Sequence, residues 1–166
     1  MRSLDGKAEP TFLFPHVGSI QSLGMDPNSG AVAFINPADR KLSFYDRQTR
    51  QVTRTIATRQ PGETSSFSYV SNFKFSPDGT RVVVANPSAR GVSVFDVASG
   101  QPLYTLPEDF GAIWWLAWDA TGRRLAISRA DGDITIWDTE KVAQALTELG
   151  LDAVETSRAA ANKLKP

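Results

Sequence analysis

The chain is 166 residues long, 41% hydrophobic and 22% charged, which is apolar material for one ordinary domain with a core of its own. Eighteen basic and eighteen acidic residues cancel, so the global electrostatic case for nucleic acid is gone, and Arg47, Arg50, Arg54 and Arg59 read as a solvated strand and loop. There is no cysteine, which excludes disulfides, thiolate zinc sites and cysteine nucleophiles. Residues 1–10 lack the apolar run of a signal peptide, and no stretch approaches the ~18 apolar residues of a spanning helix, so the expected compartment is the cytoplasm.

Residues 1–10 are polar and are expected to be mobile. Thr11-Phe12-Leu13-Phe14 is a short apolar run closed by Pro15, and it predicts a strand. Ser19 to Met25 alternates and ends at the turn Asp26-Pro27-Asn28-Ser29-Gly30, whose residue types preset or cap a reversal. Strands follow at Ala31–Ile35, at Leu42–Tyr45 and, after the polar turn Asp46 to Arg50, at Val52–Ile56.

Residues 59–68 form a longer polar connection, and then the order repeats. Val70–Phe75 predicts a strand, Ser76-Pro77-Asp78-Gly79 a turn, and Arg81–Ala85 a strand rich in β-branched valine. Val92–Phe95, the turn Ala98-Ser99-Gly100 and Leu103–Leu106 complete the second unit. A third unit runs Ile113–Trp118, Leu125–Ser128 and Ile134–Trp137, with turns at Asp119 to Gly122 and Asp131-Gly132-Asp133. Beyond Asp138 the period changes. Val142, Ala145, Leu146 and Leu149 fall at i, i+3, i+4 and i+7, which predicts a helix capped by Asp138 or Thr139 and stopped at Gly150. Residues 151–166 read as a weaker helix or a fraying tail.

One stretch ties the units together. Leu42-Ser43-Phe44-Tyr45-Asp46, Val92-Ser93-Val94-Phe95-Asp96 and Ile134-Thr135-Ile136-Trp137-Asp138 share one pattern, spaced by 50 and 42 residues, as in a repeat protein. Trp137-Asp138, with Tyr45-Asp46 and Phe95-Asp96 in the same slot, resembles the namesake dipeptide of the WD-repeat β-propeller family. Phe75-Ser76-Pro77-Asp78-Gly79 is similar to that family's first turn, and His16 stands where it often carries a Gly-His pair. Asp39 and Asp131 each precede their aromatic by six residues, as the family's tight-turn aspartate does. The middle unit also resembles the bacterial YVTN-type propeller repeat, and Leu146 to Asp152 is similar to the ends of bacterial WD-repeat proteins.

The resemblance covers residues 11–138, with 139–166 as an appended helix and tail. It implies an all-β fold: a partial β-propeller of three four-stranded antiparallel blades with a C-terminal α-helix. It also implies a hydrogen-bond network within blades, for which His16, Asp39, Ser128, Asp131 and Trp137 are the candidates. No single unit carries the full His, Asp, Ser/Thr and Trp set, and Ala89 replaces the aspartate of the second.

Three blades do not close a ring, because propellers usually have ~4–8. Open apolar flanks normally mark an interface. Strand 11–14 completes a blade if it pairs with the third unit of a second copy, which makes a C2 dimer with a six-bladed ring. The rival reading is the C-terminal part of a longer propeller with a ligand-binding or enzymatic site at the channel mouth. A third reading is a structural subunit of a larger complex.

The candidate interface residues are Phe12, Phe14, Trp114, Trp115, Trp118, Val142, Leu146 and Leu149. Alternation puts Trp114 and Trp118 on one face and Trp115 on the other, one face for the core and the other for a partner. The helix stripe packs on its own propeller or on a second chain. His16 lacks the nucleophile and orienting carboxylate of a catalytic base, and Asp131 and Asp133 supply too few oxygens for calcium. No phosphate-binding loop is present. The expectation is a non-enzymatic protein-interaction or assembly scaffold without cofactor or metal.

Overall fold

The computed structural model describes residues 20, 22–36, 41–58, 72–86, 91–107 and 113–151. They form three separate antiparallel sheets and one helix. In the first sheet, or blade 1, β1 (Ser22–Met25), β2 (Val32–Asn36), β3 (Lys41–Asp46) and β4 (Gln51–Ala57) lie in sequence order. Blade 2 repeats this with β5 (Phe73–Phe75), β6 (Arg81–Asn86), β7 (Gly91–Asp96) and β8 (Pro102–Pro107). Blade 3 has three strands, β9 (Ile113–Trp118), β10 (Arg124–Arg129) and β11 (Ile134–Asp138), and the chain then enters α1 (Thr139–Glu148). Predicted strand 11–14, predicted residues 19–21 and 70–72 apart from Ile20 and Asn72, and the tail beyond Leu151 lie outside the described residues.

Blade 2 forms because its middle strands carry two apolar faces rather than one, so that sheet is packed on both sides. On β6, Val82 and Val84 turn toward blade 1, where they meet Ala33, Ile35, Leu42, Phe44 and Ile56. Val83 and Ala85, the alternate residues, turn toward blade 3 and meet Leu116, Leu125 and Ile127. Burying each such aliphatic side chain is worth about 1.5–3 kcal/mol relative to leaving it in water. The first strands stand side by side, β1 next to β5 and β5 next to β9, so the three sheets radiate from a common inner row. This is the blade arrangement of a propeller, extended over three blades.

Polar pins lock the seams. The Arg81 guanidinium donates to the Gly122 carbonyl at 2.7 Å and to Thr139 Oγ1 at 3.3 Å, and stacks 5.0 Å from the Trp118 ring centroid. It thereby joins blade 2, the first turn of blade 3 and the start of α1. Arg54 does the same at the other seam, lying 4.0 Å over Phe44 and donating to the Val97 carbonyl. Arg54, one of the arginines expected on a wet outer strand, therefore works inside the structure.

Candidate protein-interaction surface

The candidate surface is the face of blade 3 that points away from blade 2, together with the outer edge of β11. Repeat equivalence defines it. Leu42 and Phe44 on β3 correspond to Val92 and Val94 on β7 and to Ile134 and Ile136 on β11. In blades 1 and 2 these four side chains are 0–2% exposed, because the next blade covers them. In blade 3, Ile134 is 69% and Ile136 66% exposed. The same repeat slot, equally apolar, lacks only its cover.

Trp115 joins this surface. It pairs with Ser128 across the sheet, is 59% exposed, and holds Lys74 Nζ 4.9 Å from its ring. Trp118 turns inward, half-buried in the blade 2–blade 3 core, with its indole N–H donating to the Lys74 carbonyl at 3.2 Å. Trp114 departs from the simple alternation that puts it with Trp118, and it is 68% exposed. The register between β9 and β10 shifts there. Trp115 lies opposite Ser128 and Ile113 opposite Arg129, so Trp114 is the extra residue of a bulge and loses its face.

The helix contributes unevenly. Val142 packs against the blade 2–blade 3 core, Leu146 is half-buried, and Leu149 is exposed. Asp138 caps the helix, its Oδ1 accepting the N–H groups of Glu140 and Lys141, and Glu140 pairs with Arg123 at 2.6 Å.

Of the network candidates, His16 and Asp39 lie outside the described residues, as do Phe12 and Phe14. Asp131 accepts the Asp133 N–H within its own turn. Ser128 and Trp137 face opposite sides of blade 3, since Ser128 pairs with Ile134 and Trp137 with Leu125, so this sheet does not bring the two together.

Turn carboxylates are the groups the sequence reading underrated. Hydrogen bonds from Ser76 and Thr80 hold the Asp78 carboxyl below its usual range. Ser99 does the same for Asp96, and backbone N–H groups of Arg124 and Arg123 lower Asp119. Burial pushes the Tyr104 hydroxyl up. Each lowered acid belongs to a turn. Among the described residues no group of three or more His, Asp or Glu is placed to hold a metal, and no helix is long and apolar enough to cross a membrane. A cavity of about 330 Å³ between β1 and β5 is lined by Leu23, Met25, Phe73, Phe75 and prolines, with Lys74 the one ionisable side chain of the lining among the described residues.

Separate sheets of this order, radiating from adjacent first strands, define a β-propeller chain. The repeat gives the type. The family model for the WD domain, G-beta repeat, matches residues 100–138, from the turn before β8 to the end of β11. The chain is 27% identical over 139 residues to WD repeat-containing protein VIP3 of Arabidopsis thaliana, covering 76% of this chain and 41% of that protein. It is 27% identical over 151 residues to the guanine nucleotide-binding protein subunit beta of Nicotiana plumbaginifolia, covering 88% and 37%. Against WD repeat-containing protein 3 of Mus musculus the identity is 28% over 127 residues, covering 76% and 12%. The chain thus spans less than half the length of these relatives. The described residues form three blades of a β-propeller, and the matches make the chain similar to WD-repeat proteins.

Proposed function

We propose that this chain is a non-enzymatic protein-interaction scaffold whose open blade 3 face is covered by protein. The observation that carries the reading is the exposure of Ile134 and Ile136 in a repeat slot that is 0–2% exposed in the other two blades. An apolar, β-branched sheet face left open in water is a binding or aggregation surface, and nature covers or blunts such edges. The residues around it support binding over catalysis: Trp115 offers an aromatic anchor, and the carboxylates nearby are tied into turns.

The cover we favour is a second copy, closing a ring of six blades, with residues 11–138 as the working unit and 139–166 as an appendage. A second reading has its own support: the chain spans 12–41% of the length of its WD-repeat relatives, which suits three blades of a longer propeller or a subunit held in a larger complex. Sedimentation of the wild-type chain and of an Ile134→Asp/Ile136→Asp variant tests the proposal. A wild-type mass of twice 18.1 kDa that falls to 18.1 kDa in the variant supports it. A monodisperse, stable wild-type monomer refutes self-association, and failure of both forms to bind any protein refutes the scaffold role.

A further inference from the structure

We infer that Arg124 is the polar anchor of the open blade 3 face, and that the segment seated there is acidic and apolar, a carboxylate followed at two-residue intervals by apolar side chains. The inference rests on the scaffold reading above and adds the chemistry of the partner. Arg124 holds the place in blade 3 that Arg81 holds in blade 2. Arg81 lies opposite Asp96, and Arg124 opposite Asp138. The carbonyl of each closes the first turn of its blade, accepting the N–H of Ser76 or of Asp119 at 2.9 Å. In covered blade 2 the arginine crosses the seam to the Gly122 carbonyl, to Thr139 and to the Trp118 ring. In blade 3 it is exposed, on the same face as Ile134 and Ile136.

The charges around Arg124 select an acid. Every nearby carboxylate is already engaged. Asp119 accepts the N–H groups of Arg123 and Arg124 and the Thr121 hydroxyl. Asp138 caps α1, and Glu140 pairs with Arg123. Arg124 and Lys141 are both exposed, and among the described residues neither is held in an ion pair. Two unmatched cations thus stand at the rim of an apolar face. A guanidinium takes a carboxylate through two parallel N–H bonds, and that pair strengthens where a partner excludes water.

The register sets the spacing of the partner. Inward from Arg124, the first rung of the face is Ala117, Ala126 and Ile136, and the next is Trp115, Ser128 and Ile134. Rungs on one face recur every second residue, about 6.8 Å apart. The two alanines leave the first rung low, with room for a branched side chain, and Trp115 offers the second an aromatic wall. An extended segment laid along the strands therefore presents acid, apolar and apolar residues at alternate positions.

The probe is the blocked peptide Ser-Glu-Ser-Leu-Ser-Phe-Ser, titrated into the full chain while tryptophan fluorescence is followed. Its control carries glutamine in place of glutamate. Arg124 is exposed, so Arg124→Gln should melt with the wild type. Saturable binding that weakens roughly fivefold or more in Arg124→Gln, and as much with the glutamine peptide, supports the anchor. The two losses should not add, since each removes the same pair. Equal binding of both peptides to wild type and Arg124→Gln, lost only in Ile134→Asp/Ile136→Asp, overturns the anchor and leaves the scaffold reading standing. A wild-type dimer whose dissociation constant is unchanged in Arg124→Gln does the same. Absence of saturable binding by the glutamate peptide overturns the inference.

Discussion

Asp96 and Asp138 occupy the same slot of the repeat and make the same kind of bond with opposite results. Asp96 Oδ1 accepts the Ser99 N–H at 2.7 Å, and the chain turns back into β8. Asp138 Oδ1 accepts the N–H groups of Glu140 and Lys141 at 3.2 Å, and the chain runs on as α1. The residue four places on differs between them. Gly100 sits at φ 71° and donates its N–H to the Asp96 carbonyl, closing a turn that only a left-handed residue permits. In blade 1 that place is Arg50, at φ 57°. In blade 3 it is Val142, a β-branched residue for which positive φ is costly. Among the described residues the third blade has no fourth strand, and Val142 at this place suits the helix that follows rather than the turn.

Gly100→Val should disrupt the blade 2 hairpin. The backbone conformation is strained for a β-branched residue, and the new Cβ meets Ile56 at 3.3 Å. A loss of about 2–4 kcal/mol in denaturant unfolding is expected. Gly132→Ala, at φ 94° with open space around it, should cost about 1–2 kcal/mol from conformation alone. Equal costs at the two sites would show that the contact with Ile56 is immaterial.

The open flank makes equivalent truncations unequal. Leu42→Ala removes a fully buried side chain and should cost about 2–5 kcal/mol. Ile134→Ala, in the same repeat slot, should change the stability of the unassociated chain by less than about 0.5 kcal/mol. At concentrations where the chain self-associates, it should lower the assembled fraction. If Ile134→Ala destabilises a dilute monomer as much as Leu42→Ala does, blade 3 is already covered.

Arg81→Met should loosen the seam between blades 2 and 3. It removes a charged donor from the Gly122 carbonyl and from Thr139, worth about 1.5–3 kcal/mol. Arg81→Lys should recover only part of the loss, since a point charge cannot bond both partners and stack on Trp118. Amide exchange in the first turn of α1 is the readout, and unchanged protection in Arg81→Met would show that the helix is anchored elsewhere.

Acid should unfold the chain through its turns. Asp78, Asp96 and Asp119 all have folded-state pKa values below 3.8, through the hydrogen bonds they accept. A depressed folded pKa contributes stability above the unfolded value, and that stability is lost as pH falls through the folded one. Melting temperature should therefore hold between pH 5 and 7, as order-of-magnitude bounds about one unit above the unfolded carboxyl pKa, and drop below about pH 4. Asp96→Asn should flatten that drop, and an unchanged acid limb would exclude this aspartate from it.

Most of the architecture was legible before any coordinates. The alternation in Val92-Ser93-Val94 and its counterparts specifies strands, the turn residues between them specify reversals, and the i, i+3, i+4, i+7 spacing from Val142 specifies the helix, with most ends shifted by a residue or so and the first strands of blades 1 and 2 starting later than expected. The candidate surface was only half legible. Trp115 and Trp118 separated as alternation demands, but the bulge that frees Trp114 depends on pairing with β10, which no local pattern encodes. Nor does any local pattern say that Arg54 reaches across a seam to the Val97 carbonyl.

By itself the sequence determined which segments extend and which faces are apolar, because both follow from residue type and period along the chain. Only the tertiary structure decided which of those faces is satisfied. Leu42, Val92 and Ile134 are chemically alike, and burial depends on whether a neighbouring blade stands opposite.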